Sequence, residues 1–269
     1  PGVVLRLRSG SHSFDRSTDI LTLADSARRN MSIDEVVEQV VEDVAESLNA
    51  ALARPGTRHI IQLTGGKDSR LLLAIALRSG LAKHFEYMTS GPDELLDVRI
   101  AAELCEVLGL HHEKRFIGQR GDVPFGESRR RFVQAVGGMV SGWEAPGPGV
   151  EGEVRVTGVC GELLRSFQKA PARLAHLEPT SELFDRQRFG RLGLLRPDLA
   201  DSLYAEIVEG MSTTDPSAHA PLDRMHAYLA GSRMRYTRLG PRQECSDEER
   251  ILPLYSSRLI QAAMSMDPL

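Results

Sequence analysis

The sequence predicts an α/β fold: a doubly wound parallel sheet followed by a mostly helical C-terminal half. Three observations predict it. Between residues 33 and 116, short β-prone runs alternate with stretches whose apolar residues recur at helical period. The links between them are short, as in strand–helix–strand units. The first core strand, Ile60-Ile61-Gln62-Leu63, runs into two glycines and directly onto a new helix.

Taken in order, Val3-Val4-Leu5-Arg6-Leu7-Arg8 partly alternates and dissolves into Ser9-Gly10-Ser11, like a strand leaving an earlier module. Residues 1–30 are therefore expected to be a linker or the end of a preceding module. Because the sequence opens on Pro1, truncation at one or both ends is expected. Ser32-Ile33-Asp34-Glu35 reads as a capping box, in which serine and glutamate satisfy each other's backbone amides. Val36, Val37, Val40, Val41, Val44, Leu48 and Leu52 then form an apolar stripe that Arg54-Pro55-Gly56 ends. After the glycine turn and its helix comes Gly80, then a second strand near Phe85 to Thr89. Gly91-Pro92-Asp93 turns into another helix, with Ile100, Leu104, Val107 and Leu108 at helical spacing. Gly109 stops that helix and His111 to Phe116 reads as a third strand. A helix over about 125–140 and a glycine- and proline-rich loop over 142–152, with Trp143 in it, lead to a fourth strand, Glu153 to Gly158. Residues from about 163 onward show helical stretches and few strand signals. The division expected is 31–165 for a nucleotide-binding core and 166–269 for a mainly helical part.

Bulk properties bound the function. The 269 residues, 41% of them hydrophobic, are enough to bury a substantial core. A formal charge of −4 disfavours a nucleic-acid-binding surface. Only four of the 33 basic residues are lysine. Three cysteines, Cys105, Cys160 and Cys245, fit no metal-ligand spacing and suit a reducing cytoplasmic setting. No run is long enough to span a membrane, and no signal-peptide pattern opens the chain, so neither nucleic acid nor membrane is expected as a partner.

The chemistry concentrates in Thr64-Gly65-Gly66-Lys67-Asp68-Ser69-Arg70. Glycines let a backbone approach an anion without a Cβ between them. Thr64 and Ser69 add hydroxyls, and the helix that starts here points its positive end at the same spot. Asp68 alone would repel a phosphate, which implies a divalent cation between carboxylate and phosphates. The spacing is not that of the Walker loop. A plainer reading of the same residues is a strand-to-helix turn with an N-cap.

Thr64 to Ser69 resembles the PP-loop, S/T-G-G-x-D-S, of ATP pyrophosphatases. Three further segments resemble the synthetase domain of the asparagine synthetase and β-lactam synthetase family. They are Thr89-Ser90-Gly91 with Asp97 to Glu103 and Leu108-Gly109-Leu110-His111-His112; Thr157 to Leu164, similar to S/T-G-x-G-x-D-E-L-F; and Glu249 to Leu259, where Glu249, Pro253, Arg258 and Leu259 keep the places of E-V-R-x-P-F-L-D-x-R-L. The resemblance covers roughly residues 30 to 266. It implies a PP-loop pyrophosphatase-type sheet and an ATP-dependent amide-forming ligase. Such an enzyme adenylates a carboxylate, releases pyrophosphate and passes the acyl group to an amine or ammonia. It implies ATP and Mg²⁺ as cofactors. Asp68 would be a metal ligand, and Thr64, Gly65, Gly66 and Ser69 would cradle pyrophosphate. Lys67 occupies the variable position, and Arg70 is either a further cation at the phosphates or a solvated helix arginine. Gln62, Ser90, Thr157 and Gly158 match positions whose main chain contacts adenine.

The departures are as informative. No aspartate occurs in Thr157 to Leu164, and Glu162 is the carboxylate that can stand in as second metal ligand and catalytic group. Cys160 reads as a small residue in a tight turn, and His112 as strand-end structure. Ile251 and Ser256 replace the family's arginine and aspartate, with Arg250 one position off. No lysine follows Lys169, so the family's C-terminal catalytic lysine has no counterpart in this sequence. The family's glutaminase domain would have to be a separate or missing one, or the substrate would supply its own amine. Two other functions fit the same loop: a tRNA-modifying PP-loop adenylase, and a degenerate nucleotide-binding module without turnover. The choice of carboxylate and amine, and the oligomeric state, are not legible.

Overall fold

The computed structural model describes residues 32–56, 58–115, 151–161, 249–256 and 258–260, the backbone of 3–8 and 11–16, and isolated helical positions at 126, 130, 202 and 205. The expected helix over 125–140, most of the glycine-rich loop with Trp143, and the helical second half lie outside the described residues, as do Glu162 and Cys245. The chain divides into two compact units, one of residues 1–36, 162–234 and 257–269, the other of residues 37–161 and 235–256.

In the first unit, β1 (Val3–Arg8) pairs antiparallel with β2 (Ser11–Arg16) in a hairpin. The expected lone strand is thus half of an antiparallel pair, with Val3 opposite Arg16 and Arg8 opposite Ser11. Helix α1 (Ile33–Leu52), which belongs to the second unit from Val37 onward, begins as the capping box requires. The Ser32 amide donates to the Glu35 carboxylate at 2.7 Å, and the Glu35 amide donates back to the Ser32 hydroxyl at 3.3 Å. These bonds hold the Glu35 carboxyl below its ordinary range. Val36, Val44, Leu48 and Ala51 are the buried stripe, whereas Val37 faces solvent.

The second unit is built on five parallel strands: β3 (Arg58–Gln62), β4 (Glu86–Ser90), β5 (His112–Arg115), β6 (Glu153–Val156) and β7 (Glu249–Ile251). Their spatial order is β5-β4-β3-β6-β7, so the strand that comes first in sequence lies in the middle. Helix α2 (Lys67–Arg78) crosses from β3 to β4, and α3 (Leu96–Leu108) from β4 to β5. Both crossovers move the same way along the sheet, and right-handed connection puts both helices on one face. Ile61, Leu63, Tyr87 and Val156 are fully buried, and Leu72, Leu73, Ile75, Val98, Ala101 and Cys105 supply the buried helix positions. In α3, Val107 is exposed and the Val98, Ala101 and Cys105 stripe takes its place. Strand β7 was not legible: Glu249-Arg250-Ile251 has one apolar residue and becomes a strand only by pairing with β6.

The opposite face of the sheet carries a layer of charge. Register places Arg58 and Glu153 beside each other, with Glu86 next to Ile60 and Glu113 next to Met88. Arg58 donates to Glu86 (Nε to Oε1, 3.1 Å), to Glu113 and to Glu153 (3.2 Å). Arg115 bonds both Glu113 and Glu153, and Arg155 donates to Glu153 at 3.2 Å. The Glu153 side chain is wholly buried. Burial pushes its carboxyl up, but hydrogen bonds and charge from Arg115 and Arg155 outweigh that and leave it below the ordinary range. Hydrogen bonds from Arg115 and Arg58 pull Glu113 down to about 2, and Arg58 likewise lowers Glu86.

Two outcomes follow. Replacing Glu153 with glutamine removes the buried charge that Arg58, Arg115 and Arg155 share, and should cost about 3 kcal/mol in urea denaturation. Because these carboxyls bind protons more readily in the unfolded chain, unfolding takes up protons in acid. The stability they contribute is complete above the unfolded carboxylate range and is lost as pH falls from about 4.5 toward about 2. A denaturation series over that window should show stability falling with pH.

Candidate functional site

In a sheet of this order the strand sequence reverses between β3 and β6. In open parallel sheets such a reversal is where a crevice forms at the carboxyl ends of the strands. The loops that leave those two strands are Thr64–Gly66 and Thr157–Gly161, the two glycine turns of the sequence.

The first loop is organised by Ser69, which is buried on the first turn of α2. The Thr64 amide donates to the Ser69 oxygen at 3.0 Å. The Ser69 hydroxyl lies 3.1 Å from the Thr64 carbonyl and 3.2 Å from that of Gly66, and its single proton can serve one of them at a time. The Thr64 hydroxyl sits 3.0 Å from Ser69 Oγ and accepts the Gly66 amide, also at 3.0 Å. Both hydroxyls expected at a phosphate therefore also shape the loop that would hold it. Gly66 is the N-cap of α2 and no side chain caps the helix, so its first turn presents backbone donors and the positive dipole end toward the crevice. Lys67 and Arg70 are exposed, and Asp68 is half-buried.

The second turn lies directly against the first. A Cβ on Gly158 would come 2.8 Å from the Ser69 backbone nitrogen and 2.9 Å from the Asp68 carbonyl carbon. A Cβ on Gly161 would fall 2.3 Å from Asp68 Cγ. Glycine at both places is what lets main chain approach the acidic end of the loop. The turn is held from within by the Val159 amide donating to the Thr157 hydroxyl at 3.1 Å. It is held to β7 by the Thr157 amide donating to the Ile251 carbonyl at 3.1 Å. Cys160 is buried and in no disulfide, with φ of 77°, and it stands where the S/T-G-x-G pattern carries its second glycine. The turn keeps a glycine conformation without the glycine.

Gln62 and Ser90 end β3 and β4 on the charged face of the sheet, half-buried; the Ser90 hydroxyl is 3.4 Å from the Met88 sulfur. The fold thus brings together Gln62, the whole Thr64–Arg70 segment, Ser90, Thr157 and Gly158 at the carboxyl ends of adjacent strands. Asp97 has no role assigned to it from the sequence, yet it faces the loop. Its Oδ1 lies 2.9 Å from where a Gly65 Cβ would be, which puts a second carboxylate beside the loop. Its signal in the sequence is its place at the head of the Asp97 to Glu103 segment of the resemblance. Near the C-terminus Ser256 bonds the Asp43 carboxylate of α1, and Arg54 pairs with Glu249 at 2.8 Å. Among the described residues no group of three or more histidine, cysteine or acidic side chains forms a metal cluster, and no helix is long and apolar enough to cross a membrane.

No protein-family model matches the chain, and no curated protein is similar to it. Among solved structures it is similar to the U34-tRNA thiolase NcsA from Methanococcus maripaludis with its 4Fe-4S cluster. That match has 11% sequence identity, covers 80% of this chain and 79% of that one, and has a TM-score of 0.28. What the fold and site define by themselves is a parallel α/β domain with a glycine-lined crevice at its switch point.

Gly158→Ala should lose about 1–3 kcal/mol, since the new methyl meets backbone that cannot rotate away. Gly126→Ala, an exposed helix position whose Cβ would meet nothing within 4 Å, is the control and should leave the melting temperature unchanged or raise it.

Proposed function

We propose that this chain is the ATP-binding part of a ligase that adenylates a carboxylate and passes it to an amine or ammonia, forming an amide. The observation that carries the nucleotide half of this reading is the meeting of the two glycine turns at the switch point of the sheet. An uncapped helix start, two loops with no side chain between their backbones and a carboxylate at their contact suit a bound triphosphate. The amide-forming half rests on the sequence resemblance.

The donor chemistry fits the cation that the resemblance implies. Asp68 offers hard oxygen ligands at the loop, Asp97 adds a carboxylate beside Gly65, and Glu162 directly follows Gly161 in sequence. Asp68 and Glu162 would hold Mg²⁺, which when bound neutralises charge on the phosphates. Lys67 and the amides at the start of α2 would stabilise the leaving pyrophosphate, with Arg70 as a further cation. Main chain at Gln62, Ser90, Thr157 and Gly158 would receive the adenine. A carboxylate oxygen then attacks the α-phosphorus and the bond to pyrophosphate breaks. The amine next attacks the acyl carbon, loses a proton and expels AMP. The amine comes from a separate glutaminase or from the substrate itself. The net charge of −4 disfavours a tRNA acceptor.

Carboxylate-dependent ATP–pyrophosphate exchange over pooled amino acids and related acids tests the reading. Exchange should require Mg²⁺ and fall at least about 100-fold in Asp68→Asn, as expected when a preorganised charge at the reacting phosphate is removed. Exchange stimulated only by tRNA would transfer the reading to an RNA-modifying adenylase. Tight ATP binding without exchange would leave a nucleotide-binding module.

A further inference from the structure

We propose that His112 is a positioning residue that sets the geometry of the Thr64–Ser69 loop by fixing the hydroxyl of Thr89. The inference rests on the loop's being the nucleotide site proposed above, and deepens that reading by assigning what aims the loop.

Strand β3 parts from β4 after Gln62, where the strand pairing ends. The Leu63 amide still donates to the Met88 carbonyl at 2.9 Å, but the Leu63 carbonyl takes the Thr89 hydroxyl, at 2.6 Å, as its donor. Leu63 C=O and Thr64 N–H belong to one peptide plane. Its oxygen is held by Thr89 and its N–H by Ser69 Oγ, at 3.0 Å, and both hydroxyl residues are buried. This doubly held plane is the last rigid unit before Gly65 and Gly66, so its tilt decides where the loop points.

Thr89 has one hydroxyl proton, and the Leu63 carbonyl receives it. The contact between Thr89 Oγ1 and His112 Nε2, 3.0 Å, therefore requires the hydrogen to lie on Nε2. With its proton on Nε2 the ring leaves the hydroxyl one orientation, toward Leu63. A ring protonated only on Nδ1 would instead ask Thr89 for that same proton and draw it away from the loop. Burial, then the charges of His111 and Lys114, keep the His112 pKa below the ordinary range, so the neutral ring and its tautomer are what matter near neutral pH. The neighbouring His111 is exposed and pairs toward Glu86 at 3.5 Å, so the two adjacent histidines have different tasks.

The test combines ring ¹⁵N NMR of His112, backbone amide shifts of residues 64–69 without nucleotide, and Mg·ATP affinity, for wild type, Thr89→Val, Thr89→Ser and His112→Ala. The expected wild-type ring carries its proton on Nε2. Thr89→Val, nearly isosteric and so able to fold, should shift the loop amides, alter the ring tautomer and weaken Mg·ATP binding about tenfold, the scale of one backbone hydrogen bond left unmade. Thr89→Ser should restore all three. His112→Ala should match Thr89→Val in affinity, and the double variant should lose no more than either. A ring protonated on Nδ1, or loop amides unmoved in Thr89→Val, would overturn the proposal. If the wild type shows the Nε2 tautomer and the loop shifts but no ATP binding, the positioning role stands and the nucleotide reading falls.

Discussion

Everything at the candidate site depends on one close approach. The Thr157–Gly161 backbone lies against Asp68 and Ser69 so tightly that a single Cβ at Gly158 or Gly161 would overlap them. The two loops leave adjacent parallel strands, β3 and β6, at the place where the strand order reverses. The central place of β3 in the sheet, the glycines of both turns and the uncapped start of α2 are then parts of one arrangement. Moving any of them separates the acidic residue from the turn that confines it.

The sheet that supports this crevice is asymmetric. Its helix-covered face is held by ordinary apolar packing around Leu63, Tyr87 and Val156. Its other face relies on arginine–glutamate pairing centred on the buried Glu153. Such layers contribute less net stability than an apolar core of the same volume, but breaking one costs more than it contributes. The strands that carry these pairs, β3 through β6, are the ones that deliver Gln62, Ser90 and Thr157 to the crevice. Alignment of those strand ends is thereby coupled to a set of charges to which no motif assigns a role.

The sequence made legible what is local. The capping box at Ser32 and Glu35, the strand-to-helix turn at Gly65-Gly66 and the end of α3 at Gly109 depend on residues within a few positions of each other. The parallel sheet followed from the alternation of strands and helices. What stayed hidden is set by distant partners. Glu249-Arg250-Ile251 has no strand pattern and pairs only because β6 is beside it. Val37 and Val107 fit a helical stripe but face solvent, since the period of a helix does not say which edge of the stripe its neighbours cover. His112 read as strand-end structure, yet its ring bonds a threonine on another strand that in turn holds the exit of a third. Ser69 read as a phosphate donor, and its hydroxyl also ties the loop to itself.

The central claim is that the two glycine turns form one phosphate-binding cradle. Hydrogen–deuterium exchange of the whole chain, with and without Mg²⁺ and a non-cleavable α,β-methylene analogue of ATP, tests it most directly. The account predicts that amides 64–69 and 157–161 slow together at the same ligand concentration. Protection of one turn without the other, or of neither while the analogue is bound, would contradict it.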